Sequence, residues 1–172
     1  MNKYWISQGS PNGDFWGHEF SKHATCFSSF DVPCYGPTYQ NHSEVVDFFS
    51  TAVAYYENLP TWGWLDAAGI APSNSTSYTL SDLQGALSKG FGALPYIGCS
   101  GPRYNATTAG NGTLDNGYTV VSEVWYYYHV YGRVQRNQGL PVNASINGGS
   151  VSSCANSKGA LRYPLRTVGS EQ

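Results

Sequence analysis

From Tyr118 to Val134 the residues alternate with a period of two, which is the signature of an extended strand. Val121, Glu123, Trp125, Tyr127, His129 and Tyr131 fall on one side, and Val120, Val124, Tyr126, Tyr128 and Val130 on the other. A strand that is apolar or aromatic on both sides belongs in the middle of a sheet covered on both faces. The stretch Leu94–Cys99 reads as a short edge strand, a place that tolerates Pro95, and Arg133–Val142 as a strand returning after a turn at Gly132.

Earlier in the chain the period changes. Val45, Phe48, Phe49, Ala52, Val53, Tyr56 and Leu59 recur at three- and four-residue spacings, predicting a helix over residues 44–59 with Ser43 as its N-cap. Thr61–Gly69 reads as a short helical turn. Thr79, with Asp82 three positions on, predicts a capped helix running to Lys89 and stopping at Gly90. Asp31–Pro37 and residues 100–117 read as loops, and the tail from Asn147 as polar and glycine-rich. Helical patterns dominate residues 16–89 and strand patterns residues 93–142, so the expected fold class is α+β, a single domain over residues 1–172.

The residues with chemistry are concentrated near the start. Two of the four histidines lie in Trp16-Gly17-His18-Glu19-Phe20-Ser21-Lys22-His23-Ala24-Thr25-Cys26. On a helix opening near Asp14, a candidate N-cap, His18 and Lys22 share one column, and Glu19 and His23 share the next. Two imidazoles, a carboxylate and an amine then project from about 140° of one face. Acid–base chemistry on an anionic substrate calls for that set, while a solvated helix face is the structural alternative. A zinc site is a further alternative, but His18 and His23 are spaced one residue too far apart for the His-Glu-x-x-His pattern. Neither a metal nor another cofactor is expected. Phe15 falls on the same broad face, as a core residue or as a ring offered to a base. His42 reads as a loop residue and His129 as a sheet residue.

Net charge is −2, so nucleic acid would have to bind in a local cleft rather than through bulk charge. No apolar run approaches the length of a membrane span, and no membrane partner is expected. Acceptor patterns for N-glycosylation begin at Asn41, Asn74, Asn105, Asn111 and Asn143, and four cysteines allow three pairings, Cys99 with Cys154 among them. Both features suit a secreted glycoprotein. The first residues, Met1–Gln8, do not form a signal peptide, so the start of the parent protein is expected to be missing.

Phe15–Cys26 closely resembles the second active-site segment of the ribonuclease T2 family, Trp-x-His-Glu-(Trp/Phe)-x-Lys-His-Gly-Thr-Cys, with Ala24 in place of the glycine. Pro95–Cys99 is similar to the family's Pro-x-Ile-x-Cys strand, and Val121–Gly132 to its Glu-Val-Trp strand in fungal members. The resemblance implies a central antiparallel sheet flanked by helices. It also implies a monomeric, secreted or vacuolar endoribonuclease that cleaves single-stranded RNA without a metal, through a 2′,3′-cyclic phosphate. By resemblance His23 is one of the acid–base pair, Glu19 and Lys22 stabilise the transition state, His18 binds phosphate, Phe15 contacts a base, and Cys99 pairs with Cys154. The family's other acid–base histidine lies in an earlier His-Gly-Leu-Trp-Pro segment that does not occur in these 172 residues. Cys26 and Cys34 lack the upstream cysteines with which the family's pattern pairs them. The chain is therefore expected to be a C-terminal portion of the family fold, weak or inactive alone. The alternative is a non-catalytic secreted glycoprotein or an RNA-binding module on the same fold.

Overall fold

The computed structural model describes residues 1–7, 9–100, 118–144, 151–155 and 158–167. They group into two compact units, one of residues 1–59 with 130–139, the other of residues 60–129 with 140 onward.

The first unit holds helices α1 (Asn12–His23) and α2 (Ser43–Glu57), joined by short 3-10 turns. Its interior is aromatic. Ala24, Phe30 and Phe48 are buried, with Trp5, Phe20, Phe49 and Val134 packed around them. Phe48 is the centre, meeting Phe20, Phe30 and Phe49 nearly edge-on at 5.7, 5.5 and 5.0 Å between ring centroids. Aromatic pairs favour this geometry because the positive ring edge meets the negative ring face.

Two cap expectations are corrected. Asp14 does not cap α1, because the helix starts earlier, behind Pro11, whose carbonyl accepts from the backbone N–H of both Asp14 and Phe15. Asp14 sits instead in the first turn, and Lys22 and His23 in the last, each charge opposing the helix dipole at its end. At α2 the N-cap position is taken by His42, outside the helix at a left-handed φ of 67°, while the Ser43 hydroxyl turns back to donate to the Gln40 carbonyl at 2.7 Å. The Asp31–Pro37 stretch is more regular than expected, forming a 3-10 segment, Val32–Thr38, interrupted at Gly36.

The second unit contains α3 (Thr61–Ala67), α4 (Leu80–Phe91) and six strands: β1 (Ser77–Tyr78), β2 (Tyr96–Ser100), β3 (Thr119–Trp125), β4 (Tyr127–His129), β5 (Leu140–Val142) and β6 (Leu161–Arg162). The capping box at Thr79 and Asp82 forms as the sequence predicts. The helix runs two residues past Lys89 and ends at Gly92, whose φ of 89° lets the Gly92 N–H close the last turn on the Ser88 carbonyl. Leu80, Leu83, Leu87 and Phe91 recur at three- and four-residue steps and are all buried. The three leucines meet Leu65, Ile70, Ile97 and Leu161 in one core, against which Cys99, Cys154 and Tyr163 also pack, while Phe91 packs on Tyr126 and Tyr128. Burial among these groups raises the Tyr163 phenol above its usual pKa.

The α+β class holds, and the sheet is mixed. Its strand order is β1-β6-β3-β2, antiparallel at β1–β6 and β2–β3 but parallel at β3–β6. The sequence offered no sign of β1 or β6, two-residue strands too short to carry a period. The long alternating stretch is also two strands rather than one. It breaks at Tyr126, whose ring sits 4.7 Å from Phe91 and 6.0 Å from Trp64 and whose hydroxyl pairs with Thr61 at 2.8 Å. Beyond the break β4 pairs with β5 in a separate two-stranded sheet, and the return through residues 133–139 is a turn.

The strict alternation fails within β3 as well. Gly98 is paired with Glu123 and Cys99 with Val121, so Ser122 is an extra residue on that strand. The bulge puts Val121 with Val124 against the core, while Glu123 and Trp125 are exposed. One face of β3 is therefore open, and the expectation of a strand covered on both faces is corrected. Residues 101–117, expected to be a loop and carrying the Asn105 and Asn111 acceptor patterns, lie outside the described residues. Among the described residues no helix is long and apolar enough to cross a membrane.

Candidate active site

The candidate site is the outer surface of α1. Its inner surface is fixed by Trp16, which donates its indole N–H to the Trp5 carbonyl at 2.7 Å, and by Phe20, which packs on Phe48. Ala24 is buried just past the helix end at φ −62°, a backbone geometry that needs no glycine, so the departure from the family's motif is accommodated without strain. With these residues turned inward, His18, Lys22 and His23 are left exposed on the other side.

The two columns expected from the sequence are present. Glu19 and His23 meet across one turn, with Nε2 of His23 3.8 Å from Oε2 of Glu19. The carboxylate is the more sheltered partner, with 19% of its side chain exposed against 59% for the imidazole. The carboxylate restricts the rotation of the imidazole, while the exposed ring edge remains open to a ligand. In the adjacent column Ser21 bonds the His18 carbonyl, and no ion pair forms at His18 or Lys22 among the described residues. The Lys22 ammonium and the His18 ring nitrogens keep their hydrogen-bonding capacity for an anion, and an ammonium and an imidazole on one column suit a phosphodiester.

Phe15 lies on the aromatic side of this arrangement. Its ring meets Trp5 edge-on at 6.5 Å and is half-buried, so it serves the packing of the helix while keeping some surface open. His42 and His129 take no part in α1, lying at the entrance to α2 and on β4. Cys26 and Cys34 are exposed free thiols, and Cys99 is bonded to Cys154. No cluster of three or more His, Cys, Asp or Glu side chains among the described residues is placed to hold a metal ion.

The same unit also holds a cleft of about 330 Å³ between α2 and residues 134–138, with Asp47, Ser50, Thr51 and Arg136 among its lining. Sequence reasoning missed it, since its residues come from two distant segments with no shared motif. Beside it Tyr35 donates to Asp47 at 2.9 Å, and burial followed by that bond raises the phenol above its usual pKa.

The model of the Ribonuclease T2 family matches residues 1–132. Ribonuclease T2-like 1-A of Candida albicans is 36% identical over 143 residues, covering 83% of this chain and 32% of that protein. Ribonuclease Trv of Hypocrea rufa is 38% identical over 138 residues, covering 80% of this chain and 51% of that protein. The crystal structure of Actibind, a T2 ribonuclease, superposes with a TM-score of 0.72 at 30% identity, over 95% of this chain and 60% of that one. The chain thus spans between about a third and a half of the two curated relatives. By the extent of the family match, it belongs to the ribonuclease T2 family.

Proposed function

We propose that this protein is an endoribonuclease that cleaves single-stranded RNA by transphosphorylation, without a metal ion. The observation that carries the proposal is the outer surface of α1, where His23 is held by Glu19 beside an open column of His18 and Lys22. The reaction needs a base to take the ribose 2′-OH proton, a cation to stabilise the charge growing on phosphorus, and an acid to protonate the departing 5′-oxygen. His23 takes one of the two proton-transfer roles. Lys22 and Glu19 stabilise the transition state, and His18 holds the phosphate. The 2′-oxygen bonds to phosphorus as the 5′-oxygen leaves, giving a 2′,3′-cyclic phosphate and a free 5′-hydroxyl. Phe15 contributes a ring to a base at the edge of the site.

Secretion or delivery to a vacuole, with glycans on asparagine, belongs to the same proposal. It is supported by the Cys99–Cys154 disulfide, a bond of oxidising compartments, and by the exposure of Asn41, Asn74 and Asn143. The test of the activity is cleavage of end-labelled RNA in the presence of EDTA, with the product terminus identified. A cyclic phosphate formed by the wild type and lost in His23→Ala supports the proposal; cleavage indifferent to that substitution overturns it.

A further inference from the structure

The open face of the β2–β3 pair carries four residues in a square, Tyr96 opposite Trp125 and Gly98 opposite Glu123. Trp125 is 49% exposed, a costly placement for an indole, and its ring leans on Tyr96 at 5.2 Å between centroids. The Glu123 side chain lies flat across Gly98. A Cβ at that position would overlap Glu123 Cγ and Oε1, so only glycine leaves room for the carboxylate there. At its other end Oε2 accepts the Trp125 indole N–H at 2.9 Å. Among the described residues no cation pairs with Glu123. The carboxylate is held from two sides, keeps acceptor lone pairs to spare, and lies beside an open aromatic face.

We propose that Glu123, Trp125 and Tyr96 form a nucleobase subsite selective for guanine, a proposal that rests on RNA being the substrate. A base stacks on the half-exposed indole whatever its identity. The carboxylate then discriminates. Guanine presents two adjacent donors, N1–H and N2–H, to a group that only accepts. Adenine and cytosine present one amino donor next to a ring acceptor that a carboxylate repels, and uracil one N–H between two carbonyls. Gly98 is a positioning residue, acting through the placement of Glu123.

The test is binding of fluorescent 2′-O-methyl oligonucleotides, which lack the nucleophile and survive, in a guanine-containing and an adenine-containing version. The wild type is expected to prefer the guanine version. Trp125→Ala should weaken both by about 5- to 100-fold. Glu123→Gln keeps the shape but removes the charge and adds a donor, so it should weaken guanine binding, relieve the repulsion of adenine and erase the preference. Gly98→Ala, which displaces the carboxylate, should erase it too. Thermal melts confirm that each variant is folded. A preference that survives Glu123→Gln overturns the proposal, as does a wild type without one. Binding of a neutral oligosaccharide that is lost in Trp125→Ala, with oligonucleotide binding untouched, assigns the platform to a sugar and overturns it too. Failure of the ribonuclease proposal reads differently, as absent or His23-independent cleavage while the guanine preference persists.

Discussion

Nε2 of His23 stands 3.8 Å from Oε2 of Glu19, one helical turn away, with the carboxylate sheltered and the imidazole facing outward. The pair places an imidazole with an open edge on one side of the helix. Glu19→Gln preserves the shape and removes the charge. The expected result is a fall in kcat of about 10²-fold, the order found when one preorganised electrostatic group is removed, with far-UV circular dichroism unchanged. An unaltered kcat would assign Glu19 to packing alone.

Lys22 is exposed and makes no ion pair among the described residues, so its ammonium is available to a phosphate. Lys22→Ala should weaken RNA binding and reduce the slope of log affinity against log salt by about 0.7, one phosphate contact on a single strand. Titrations at several salt concentrations measure this directly. A slope equal to the wild type would remove Lys22 from the RNA contact.

The Cys99–Cys154 bond joins β2 to the segment beside it, across 55 residues of sequence. Closing so long a loop restricts the unfolded chain, and a reduced or Cys154→Ser form should lose about 2–5 kcal/mol of stability. Urea unfolding with and without reductant gives the difference.

Gly90, near the end of α4, lies directly under the Trp64 ring. An alanine there would be favourable in an exposed helix, but its methyl would occupy the space of the indole. Gly90→Ala is expected to destabilise the protein by about 1–3 kcal/mol, as overpacking does. A rise in melting temperature would show that Trp64 moves aside freely.

Features set by local chemistry were legible in the sequence, and features set by tertiary partners were not. The Thr79–Asp82 capping box, the buried stripe of α4, the His18–Lys22 column and the Glu19–His23 contact on α1 depend on residues within a turn or two of one another. The break at Tyr126 depends on Phe91, Trp64 and Thr61, distant in sequence, and periodicity carries no trace of them. A single extra residue, Ser122, was enough to hide the exposed Glu123–Trp125 face, because strict alternation placed Val121 on the same side. The signal that could have found it is Gly98 opposite a long acidic side chain, visible only once the register is known. At α2 a left-handed His42 displaced the serine that composition favours as a cap.

The central claim is that the His23 face of α1 performs transphosphorylation. Removing one member of an acid–base pair costs about 10²–10⁴ in rate, so His23→Ala is expected to lose cleavage by that order. The most direct measurement is a long time course on end-labelled single-stranded RNA with excess EDTA, comparing wild type with His23→Ala and identifying the new 3′ ends by mass. The account predicts cleavage that ends in 2′,3′-cyclic phosphate, withstands EDTA and is lost in His23→Ala. Cleavage that persists in His23→Ala, or that leaves no cyclic phosphate, would contradict it.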